Sequence, residues 1–392
     1  MKILLVHNFY NMKINSGENN VVENELNLLR NSGHEVLLYS QINEPNQKFS
    51  KVELFEMGIR FISGSGSSEE IIQILQREKF DVCHIHNIFP LIGSQVISQI
   101  HEAQIPIVQT IHNFRYRCGA GVNSRNGKVC LDCSKNFGKI PLIVHKCYRD
   151  SYVQSAAMYF AQSKYVEKMK LVSIFIVLSA YAKQEIIKFG IPENAIRIKQ
   201  NFANRNIFPQ KKFSKSVVYA GRLEKEKGVQ LLLKSWIESN ASQFGWTLKI
   251  AGAGSLEGEV EELARNSKGV QYLGLLSKSQ LAQEITDCSF SIITSQMLEN
   301  CPMQIVESLA VSTPVIFRPN ESTNGFMNPS FSISLPENTE NWKFIFDKLD
   351  SFDCIELSVA ARAEYEEKYS PEVSLASLEE IYRRVQFPEE ES

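Results

Sequence analysis

Residues 216–238 read SVVYAGRLEKEKGVQLLLKSWIE. The segment begins with a short β-branched run, continues through a polar loop bounded by Gly221 and Gly228, and ends with apolar residues at helical spacing. This order predicts a buried strand, a tight loop and a helix that packs back on the strand. The loop carries Arg222 and Lys227, which can neutralise a diphosphate. The segment therefore predicts one strand and helix of a parallel sheet, with an anion site where the strand ends.

The same alternation of apolar runs and helical patterns extends to both sides of this segment. Strands are predicted at residues 3–7, 35–39, 81–85, 106–111 and 174–178, and again at 216–220, 247–251, 270–273, 289–293 and 314–317. Strands that alternate with helices form parallel sheets covered on both faces. We therefore predict an α/β fold of two tandem Rossmann-like, doubly wound domains facing a cleft, where the carboxyl ends of both sheets bind ligands.

Length and composition bound the class of protein. A chain of 392 residues is too long for one ordinary core, and Asn, Pro, Lys and Ser cluster at residues 201–215. The predicted domains are therefore residues 1–205 and 206–372, followed by residues 373–392. The composition, 43% hydrophobic and 22% charged, is typical of a soluble globular enzyme. A net charge of −2 gives no general reason to expect nucleic acid as a partner. The sequence shows no apolar run of membrane length and no signal peptide, so the expected compartment is the cytoplasm.

A second motif lies about seventy residues after the first. Residues 298–310 read LENCPMQIVESLA, which places Glu299 and Glu307 eight residues apart around the predicted start of a helix near Pro302. Proline is tolerated at the first helical position, and the free amides of a helix N-terminus attract phosphate. A carboxylate beside such a terminus can hold sugar or ribose hydroxyls. The two motifs together predict a site for a nucleotide sugar.

These motifs resemble those of retaining GT-B-fold glycosyltransferases of family four, and the insertion described below resembles the bacterial surface-polysaccharide type. The resemblance implies that Arg222 and Lys227 bind the donor diphosphate, that Glu299 faces the transferred sugar and that Glu307 faces the ribose. It also implies that His112 points into the cleft at the reaction centre. The remaining residues that match donor-binding positions are Gly17, Gly274, Leu275, Cys301 and Met303. Ser16 and Asn300-Cys301-Pro302 stand where the family usually has glycines.

The resemblance also implies a reaction and its partners. A sugar would pass from a nucleoside-diphosphate sugar to a hydroxyl of a glycan or undecaprenyl-linked glycan, in capsule, O-antigen, lipopolysaccharide or exopolysaccharide synthesis, without a catalytic metal. Residues 373–392 would form a helix that crosses back to the first domain, followed by an acidic tail. The alternatives are a sugar-nucleotide epimerase of the same fold, which needs no acceptor, and a zinc-ordered nucleic-acid-binding protein. No known nucleic-acid-binding motif accompanies the latter interpretation.

An insertion at residues 114–149 concentrates half of the eight cysteines. Cys118, Cys130, Cys133 and Cys147 have the number and softness of ligands for structural zinc, and Cys130 and Cys133 form a Cys-x2-Cys pair. A reducing cytoplasm disfavours disulfides. We predict a zinc site formed by these four cysteines, with His145 as an alternative ligand for one of them.

The insertion is also strongly basic. Between residues 115 and 149 there is one acidic residue, Asp132, and the cations are Arg115, Arg117, Arg125, Lys128, Lys135, Lys139, Lys146 and Arg149. Such a patch suits a phosphate-bearing acceptor or anionic lipid headgroups. Residues 152–176 interleave aromatic and apolar residues with lysines, which fits either a helix on a membrane surface or a core helix. One hypothesis is therefore a peripheral contact with the inner face of the plasma membrane.

Overall fold

The structure, a computed structural model, describes residues 1–10, 17–43, 51–66, 68–125, 128–134, 138–204 and 213–387. Its contacts divide the chain into two units. Unit 1 comprises Met1–Asn123, Cys130–Lys199 and Leu375–Ser392, and unit 2 comprises Ser124–Val129 and Gln200–Ser374. The predicted boundary at 205/206, the departure at Ser16, Lys135 of the basic patch and the acidic tail lie outside the described residues.

The order of elements follows the predicted alternation. The strands are β1 (Lys2–Phe9), β2 (Glu35–Ile42), β3 (Val82–Ile85), β4 (Ile107–Ile111), β5 (Ser124–Arg125), β6 (Lys128–Val129), β7 (Ile174–Val177), β8 (Ile196–Ile198), β9 (Ser214–Ala220), β10 (Thr247–Ala251), β11 (Val270–Gly274), β12 (Cys288–Ile293), β13 (Val315–Phe317) and β14 (Ser332–Ser334). The helices are α1 (Gly17–Asn31), α2 (Lys51–Ser63), α3 (Ser68–Arg77), α4 (Gln95–Glu102), α5 (Ile140–Val144), α6 (Tyr152–Met169), α7 (Ala180–Lys188), α8 (Val229–Ile237), α9 (Glu257–Asn266), α10 (Lys278–Asp287), α11 (Met303–Ala310), α12 (Trp342–Phe346), α13 (Cys354–Lys368) and α14 (Pro371–Gln386).

Each unit contains one six-stranded parallel sheet. The strand order is β2-β1-β3-β4-β7-β8 in unit 1 and β11-β10-β9-β12-β13-β14 in unit 2. The direction of winding reverses between β1 and β3 in unit 1 and between β9 and β12 in unit 2. Such switch points are where open α/β sheets bind ligands, outside the carboxyl ends of the strands. The predicted pair of doubly wound Rossmann-like domains is confirmed.

Apolar strands and one helix face form each core. The strand β1 has a continuous buried run from Ile3 to Val6, as expected of a parallel strand covered on both faces. In unit 2 the core includes Trp236, Trp342 and Phe290, all fully buried. At roughly 25 cal/mol per Å² of buried apolar area, each such aromatic residue contributes several kcal/mol before the entropy of folding is subtracted.

The C-terminal helix α14 belongs to the core of unit 1. Its residues Leu378, Ile381 and Tyr382 are buried in the same apolar cluster as β1 and β3. The chain therefore returns to unit 1 after residue 374, and the predicted crossover helix is confirmed. Sequence reasoning had left residues 152–176 open, and the structure decides in favour of a core helix: Met158, Ala161 and Tyr165 of α6 are buried.

A polar network lies inside the core of unit 1. Glu25 on α1 is 1% exposed. Its carboxylate accepts a hydrogen bond from Nζ of Lys199 at 3.1 Å. The same carboxylate lies 3.0 Å from Nδ1 of His84 and 3.1 Å from Nε2 of His86. His84 also lies 2.8 Å from the hydroxyl of Thr110. Burial acts to raise the pKa of Glu25, but Lys199 and the two histidines outweigh it and hold that pKa well below the usual range. Because a buried charge without partners is costly, loss of one of these contacts would destabilise unit 1.

The buried histidines predict that unit 1 loses stability in mild acid. Burial lowers the pKa of His7 to about 3 and that of His84 to about 4, and it lowers the pKa of His112 well below the usual range. Below about pH 6.5 the unfolded chain takes up protons that these folded histidines do not, so stability falls as pH drops from about 6.5 toward about 4. Glu18 has the opposite effect on stability, because burial raises its pKa to about 7 and its folded form takes up a proton over the same pH range. It therefore offsets the loss of stability caused by about one histidine.

Hydrogen exchange at about pH 7 and about pH 5.5, corrected for intrinsic rates, measures this effect. We expect the opening free energy of β1, β3 and β4 to fall by about 1–3 kcal/mol. Unit 2 should not lose stability, because all seven histidines lie before residue 200. Burial raises the pKa of Glu307 in unit 2 to about 7, so its folded form takes up a proton over this range and stabilises unit 2 as pH falls. His7→Gln should reduce the pH effect, whereas His101→Gln at an exposed position should leave it intact. An equal loss in both units, or one insensitive to His7→Gln, would contradict the burial argument.

Candidate active site

The two predicted motifs meet in unit 2 because β9 and β12 are neighbours in the sheet. The first motif follows β9 and forms a single 3-10 turn over Lys225–Lys227. Backbone and side-chain hydrogen bonds join this turn to the segment after β12: the hydroxyl of Thr294 donates to the Lys227 carbonyl at 2.9 Å, and the amide of Gln296 donates to the Glu226 carbonyl at 2.8 Å. The loop is therefore held in one position at the carboxyl ends of the strands.

Gly228 makes this close approach possible. It has φ +75°, and a Cβ atom there would lie 2.2 Å from the carbonyl oxygen of Thr294. Gly252 at the end of β10 is constrained in the same way, since its Cβ would lie 1.9 Å from the carbonyl oxygen of Gly221. These glycines fix the loop geometry, since any side chain would push the two segments apart.

Lys227 and Glu299 form the charged centre of this site. The Lys227 ammonium donates to the Glu299 carboxylate, which also accepts from the Ser295 hydroxyl at 2.8 Å. Burial alone would raise the pKa of Glu299, but Lys227, Ser295 and Arg222 lower it below the usual value. The carboxylate is therefore ionised and oriented. The side chain of Arg222 remains about half exposed at 52%, with Glu226 at 4.0 Å.

Glu307 occupies a different environment on α11. Burial raises the pKa of its carboxyl to about 7, against an opposing effect of Lys278. In the part of the chain that the structure describes, this carboxyl makes no hydrogen bond or ion pair. A half-buried carboxyl without a hydrogen-bond partner can accept hydrogen bonds from a pair of ligand hydroxyls.

The other predicted donor-binding residues lie at element ends. Helix α11 starts at Met303, directly after Pro302, as predicted. Cys301 is buried, and its carbonyl accepts from the Asn201 amide at 3.1 Å, so its backbone is fixed. Gly274 has φ +70° and ends β11, two strands from β9, and the next residue, Leu275, is 62% exposed. Gly17 is the exposed first residue of α1 in unit 1.

A pocket lies in unit 1 beyond β3 and β4. His112 lines it, and its Nε2 lies 2.8 Å from Nδ1 of His86. The pKa of His112 is lowered well below its usual range by burial and by the neighbouring histidines, so the imidazole is neutral. The pocket measures about 330 Å³ including its open mouth, and further lining residues are Glu18, Gln109, Asn113, Arg115 and Tyr116.

Sequence reasoning did not assign several residues of this pocket to a site. Asn113 donates to Glu18 at 3.3 Å, and the guanidinium of Arg115 donates to the Gly119 carbonyl at 3.2 Å. The available signal was their position beside Gly17 and His112. The structure also corrects the basic patch: Arg117 is buried and paired with Glu185, and Arg115 lines the pocket, so neither forms part of a free cationic surface.

The structure gathers the four insertion cysteines around Cys133. The pKa of Cys133 is raised to about 11 by burial and by the charges of Cys118, Cys147 and Cys130, and none of the four cysteines is in a disulfide. They do not form a closed group, so zinc binding would require the side chains to move together. Among the described residues, a tighter group of candidate ligands is Glu25, His84 and His86, whose ligand atoms lie within 4.8 Å. Lys199 holds the same carboxylate, which makes this group an ion-pair network rather than a cation site.

Comparison with known proteins agrees with this architecture. The profile described as "Glycosyltransferase Family 4" matches residues 15–206, and that described as "Glycosyl transferases group 1" matches residues 200–350. No curated protein matches the chain significantly.

Solved structures with the same fold have low sequence identity. The Anabaena protein HepE in complex with UDP has a TM-score of 0.64 at 14% identity, covering 98% of this chain and 100% of that chain. The lipopolysaccharide outer core galactosyltransferase WaaB has a TM-score of 0.61 at 15% identity, covering 99% of each chain.

A mutant of S. aureus TarM, solved with fondaparinux, alpha-GlcNAc-glycerol and UDP, has a TM-score of 0.56 at 15% identity. The match covers 80% of this chain and 58% of the TarM chain, so this chain spans little more than half of TarM. The two profiles, the paired parallel sheets and the joined motifs at β9 and β12 lead to one conclusion: the chain belongs to family four of the GT-B-fold glycosyltransferases.

Proposed function

We propose that this protein transfers a sugar from a nucleoside-diphosphate sugar to a hydroxyl of a glycan acceptor. The observation that carries the proposal is the cluster of Lys227, Glu299 and Arg222 at the carboxyl ends of β9 and β12. Two proteins with the same fold, HepE and TarM, have been solved with UDP. Arg222 is half exposed and Lys227 is 20% exposed at its side chain, so both cations remain accessible to a diphosphate.

The proposed reaction breaks the bond between the anomeric carbon and the diphosphate oxygen and forms a bond from that carbon to the acceptor oxygen. Negative charge grows on the leaving diphosphate, where Arg222, Lys227 and the first amides of α11 stabilise it. Retention of configuration follows if the acceptor attacks the same face and its proton passes to a phosphate oxygen. Glu299 then holds a hydroxyl of the transferred sugar, and Glu307 holds the ribose.

The remaining site residues complete this proposal. Gly17, Cys301 and Met303 would bring backbone amides toward the donor, and Gly274 and Leu275 would contact the base. Neutral His112 would donate or accept a hydrogen bond at the reaction centre without adding charge. We also propose a place in lipopolysaccharide, capsule or exopolysaccharide synthesis, with a glycan or undecaprenyl-linked acceptor at the cytoplasmic face of the membrane. WaaB, a lipopolysaccharide outer core galactosyltransferase, has the same fold.

Nucleotide titrations test the donor site. Calorimetry with UDP, GDP, ADP, TDP and CMP should identify one nucleotide that binds. Arg222→Ala and Lys227→Ala should each weaken its affinity about tenfold or more, because each removes a charge-assisted hydrogen bond. Lys225→Ala removes an exposed cation from the same turn and should have little effect. Equal losses in all three variants would indicate general electrostatics, and no binding by folded protein would contradict the proposal. NMR of the product's anomeric proton would show whether configuration is retained.

We further propose that Cys118, Cys130, Cys133 and Cys147 bind a structural zinc ion. The support is their sequence spacing and their convergence around Cys133. Lys139 interacts electrostatically with Cys133. Its ammonium would offset the negative charge of a zinc ion bound by four thiolates. The hydrogen bond from the Cys130 amide to the Asn123 carbonyl at 2.8 Å already fixes one ligand against the preceding segment.

Metal analysis of the purified protein tests the zinc proposal. We expect about one zinc ion per chain. Cys133→Ser should abolish binding and lower the melting temperature, because ligand binding stabilises the folded state. Cys354→Ser is the control, since Cys354 is a partly buried thiol of unit 2 outside the insertion. A folded, metal-free wild-type protein that does not take up zinc would contradict the proposal.

We also propose peripheral contact with an anionic membrane through α5 and the start of α6. Four apolar side chains there are exposed: Ile140, Val144, Tyr152 and Val153. Lys146 lies 4.7 Å from the Tyr152 ring, which adds a cation to the apolar surface. Among the described residues, no helix is long and apolar enough to span a membrane. Exposed apolar groups beside cations favour adsorption to anionic headgroups.

Flotation with liposomes containing anionic lipid tests this surface. The protein should float at low salt, and Val153→Glu should reduce the bound fraction severalfold by placing a like charge against the headgroups. Val359→Glu on α13 is the matched control, because Val153 and Val359 are 80% and 67% exposed on helices of different units. Absence of flotation at low salt, or equal loss in both variants, would refute the contact.

A further inference from the structure

A second histidine connects His112 to the buried ion-pair network of unit 1. Nε2 of His86 lies 3.1 Å from a carboxylate oxygen of Glu25, and Nδ1 of His86 lies 2.8 Å from Nε2 of His112. The rings of His86 and His112 are inclined by only 20°, with their centroids 5.1 Å apart. Because the two nitrogens are much closer than the centroids, the rings meet edge to edge. Glu25, His86 and His112 therefore form one hydrogen-bonded chain.

The charge of Glu25 sets the direction of this chain. An ionised carboxylate can only accept a hydrogen bond, so Nε2 of His86 carries a proton. In a neutral imidazole the other nitrogen is bare, and Nδ1 of His86 therefore accepts the N–H of His112. Because His112 is itself neutral, its single ring proton is on Nε2 and its Nδ1 carries none.

Charge balance keeps His86 neutral. Its side chain is 0% exposed, and Nζ of Lys199 lies 3.1 Å from the second carboxylate oxygen of Glu25. One carboxylate and one ammonium already cancel, so a further proton on His86 would leave a buried positive charge without a counter-charge. A protonated His86 would donate from both nitrogens and would impose the opposite tautomer on His112. Lys199 therefore contributes to the direction of the chain.

The neighbouring histidines have other partners. Both ring nitrogens of His84 face side-chain hydroxyls, at 2.7 and 2.8 Å, and one of them also lies 3.0 Å from Glu25. The ring nitrogens of His7 face an amide oxygen at 3.3 Å and a backbone N–H at 3.4 Å. Neither of these side chains takes the hydrogen bond between His86 and His112.

We propose that Glu25 is a positioning residue that acts through His86 to hold His112 in the tautomer with its proton on Nε2. A carboxylate bonded to one imidazole commonly fixes the tautomer in this way. The only N–H of the His112 ring is then turned to His86, so His112 offers none to the reacting sugar or to the leaving diphosphate. Stabilisation of the diphosphate is left to unit 2. The inference rests on the proposed transferase function and specifies the role of His112 in it.

NMR of the full chain with ¹⁵N-labelled histidine, at about pH 7.5, tests the tautomer directly. Protonated and bare ring nitrogens give well-separated signals, and the spectrum of His112→Gln assigns those of His112. We expect the wild-type His112 to carry its proton on Nε2. The double variant Glu25→Leu, Lys199→Met removes the acceptor without leaving a buried charge unpaired, and His112 should then populate both tautomers.

Another buried ion pair of unit 1 provides the matched control. Arg117 and Glu185 are paired and are 6% and 5% exposed. The double variant Arg117→Met, Glu185→Leu should leave the tautomer of His112 unchanged, whatever its effect on the melting temperature. An equal change of tautomer in both double variants would mean a general loosening of unit 1, and the positioning role would be wrong.

Nucleotide binding and turnover separate this inference from the transferase proposal. The Glu25→Leu, Lys199→Met variant should bind the nucleotide that the wild type binds with unchanged affinity, because Arg222 and Lys227 lie in unit 2. Release of that nucleotide from its sugar nucleotide should slow about tenfold in kcat.

The wild-type spectrum decides the tautomer even if the double variant does not fold. A proton on Nδ1 of wild-type His112, or a tautomer that survives the loss of Glu25, would overturn the positioning role while nucleotide binding kept the transferase proposal. The expected tautomer in a folded protein that binds no nucleotide would keep the hydrogen-bonded chain and remove the transferase proposal.

Discussion

The carboxylate of Glu25 imposes the strictest physical constraint in unit 1. An ionised group that is 1% exposed must be fully paired, and its partners come from separate parts of the chain: Lys199 follows β8, and His84 and His86 belong to the end of β3. Through His84 the network reaches the hydroxyl of Tyr382 on α14 at 2.7 Å. The first helix, the central strands and the C-terminal helix of unit 1 are thus fixed to one another by a single charge.

A second lysine–glutamate pair, in unit 2, has the same chemistry but a different accessibility. Lys199 and Glu25 are sealed, whereas the side chains of Lys227 and Glu299 are 20% and 17% exposed. A sealed pair can only hold structure together. An accessible pair can exchange part of its interaction for a ligand, so that an anion takes the ammonium while the carboxylate turns to a hydroxyl. Accessibility therefore distinguishes the proposed donor site from the ion-pair network of unit 1.

The basic insertion illustrates why charge counted along a sequence overstates charge on a surface. Arg117 forms an ion pair with Glu185 inside unit 1. The guanidinium of Arg115 interacts electrostatically with the carboxyl of Glu18 in the pocket. The cations left outside, among them Lys146 and Arg149, lie over the rings of Tyr152 and Tyr148. The insertion thus supplies internal counter-charges as well as an exposed, partly apolar surface, and these have different consequences for binding.

The sequence by itself determined ten of the twelve strands of the two parallel sheets, about half of the helices, the doubly wound class and the two motifs of unit 2, because apolar periodicity and turn residues are local properties. The three-residue edge strands β8 and β14 were not predicted. Helix α11 begins at Met303, as predicted from Pro302 alone. Only the tertiary structure decided that α6 is a core helix, that Arg115 and Arg117 point to internal partners, and that Glu18, Gln109 and Tyr116 share a pocket. Those facts depend on contacts between residues distant along the chain, and local pattern carries no information about which distant charge or cavity a side chain will meet.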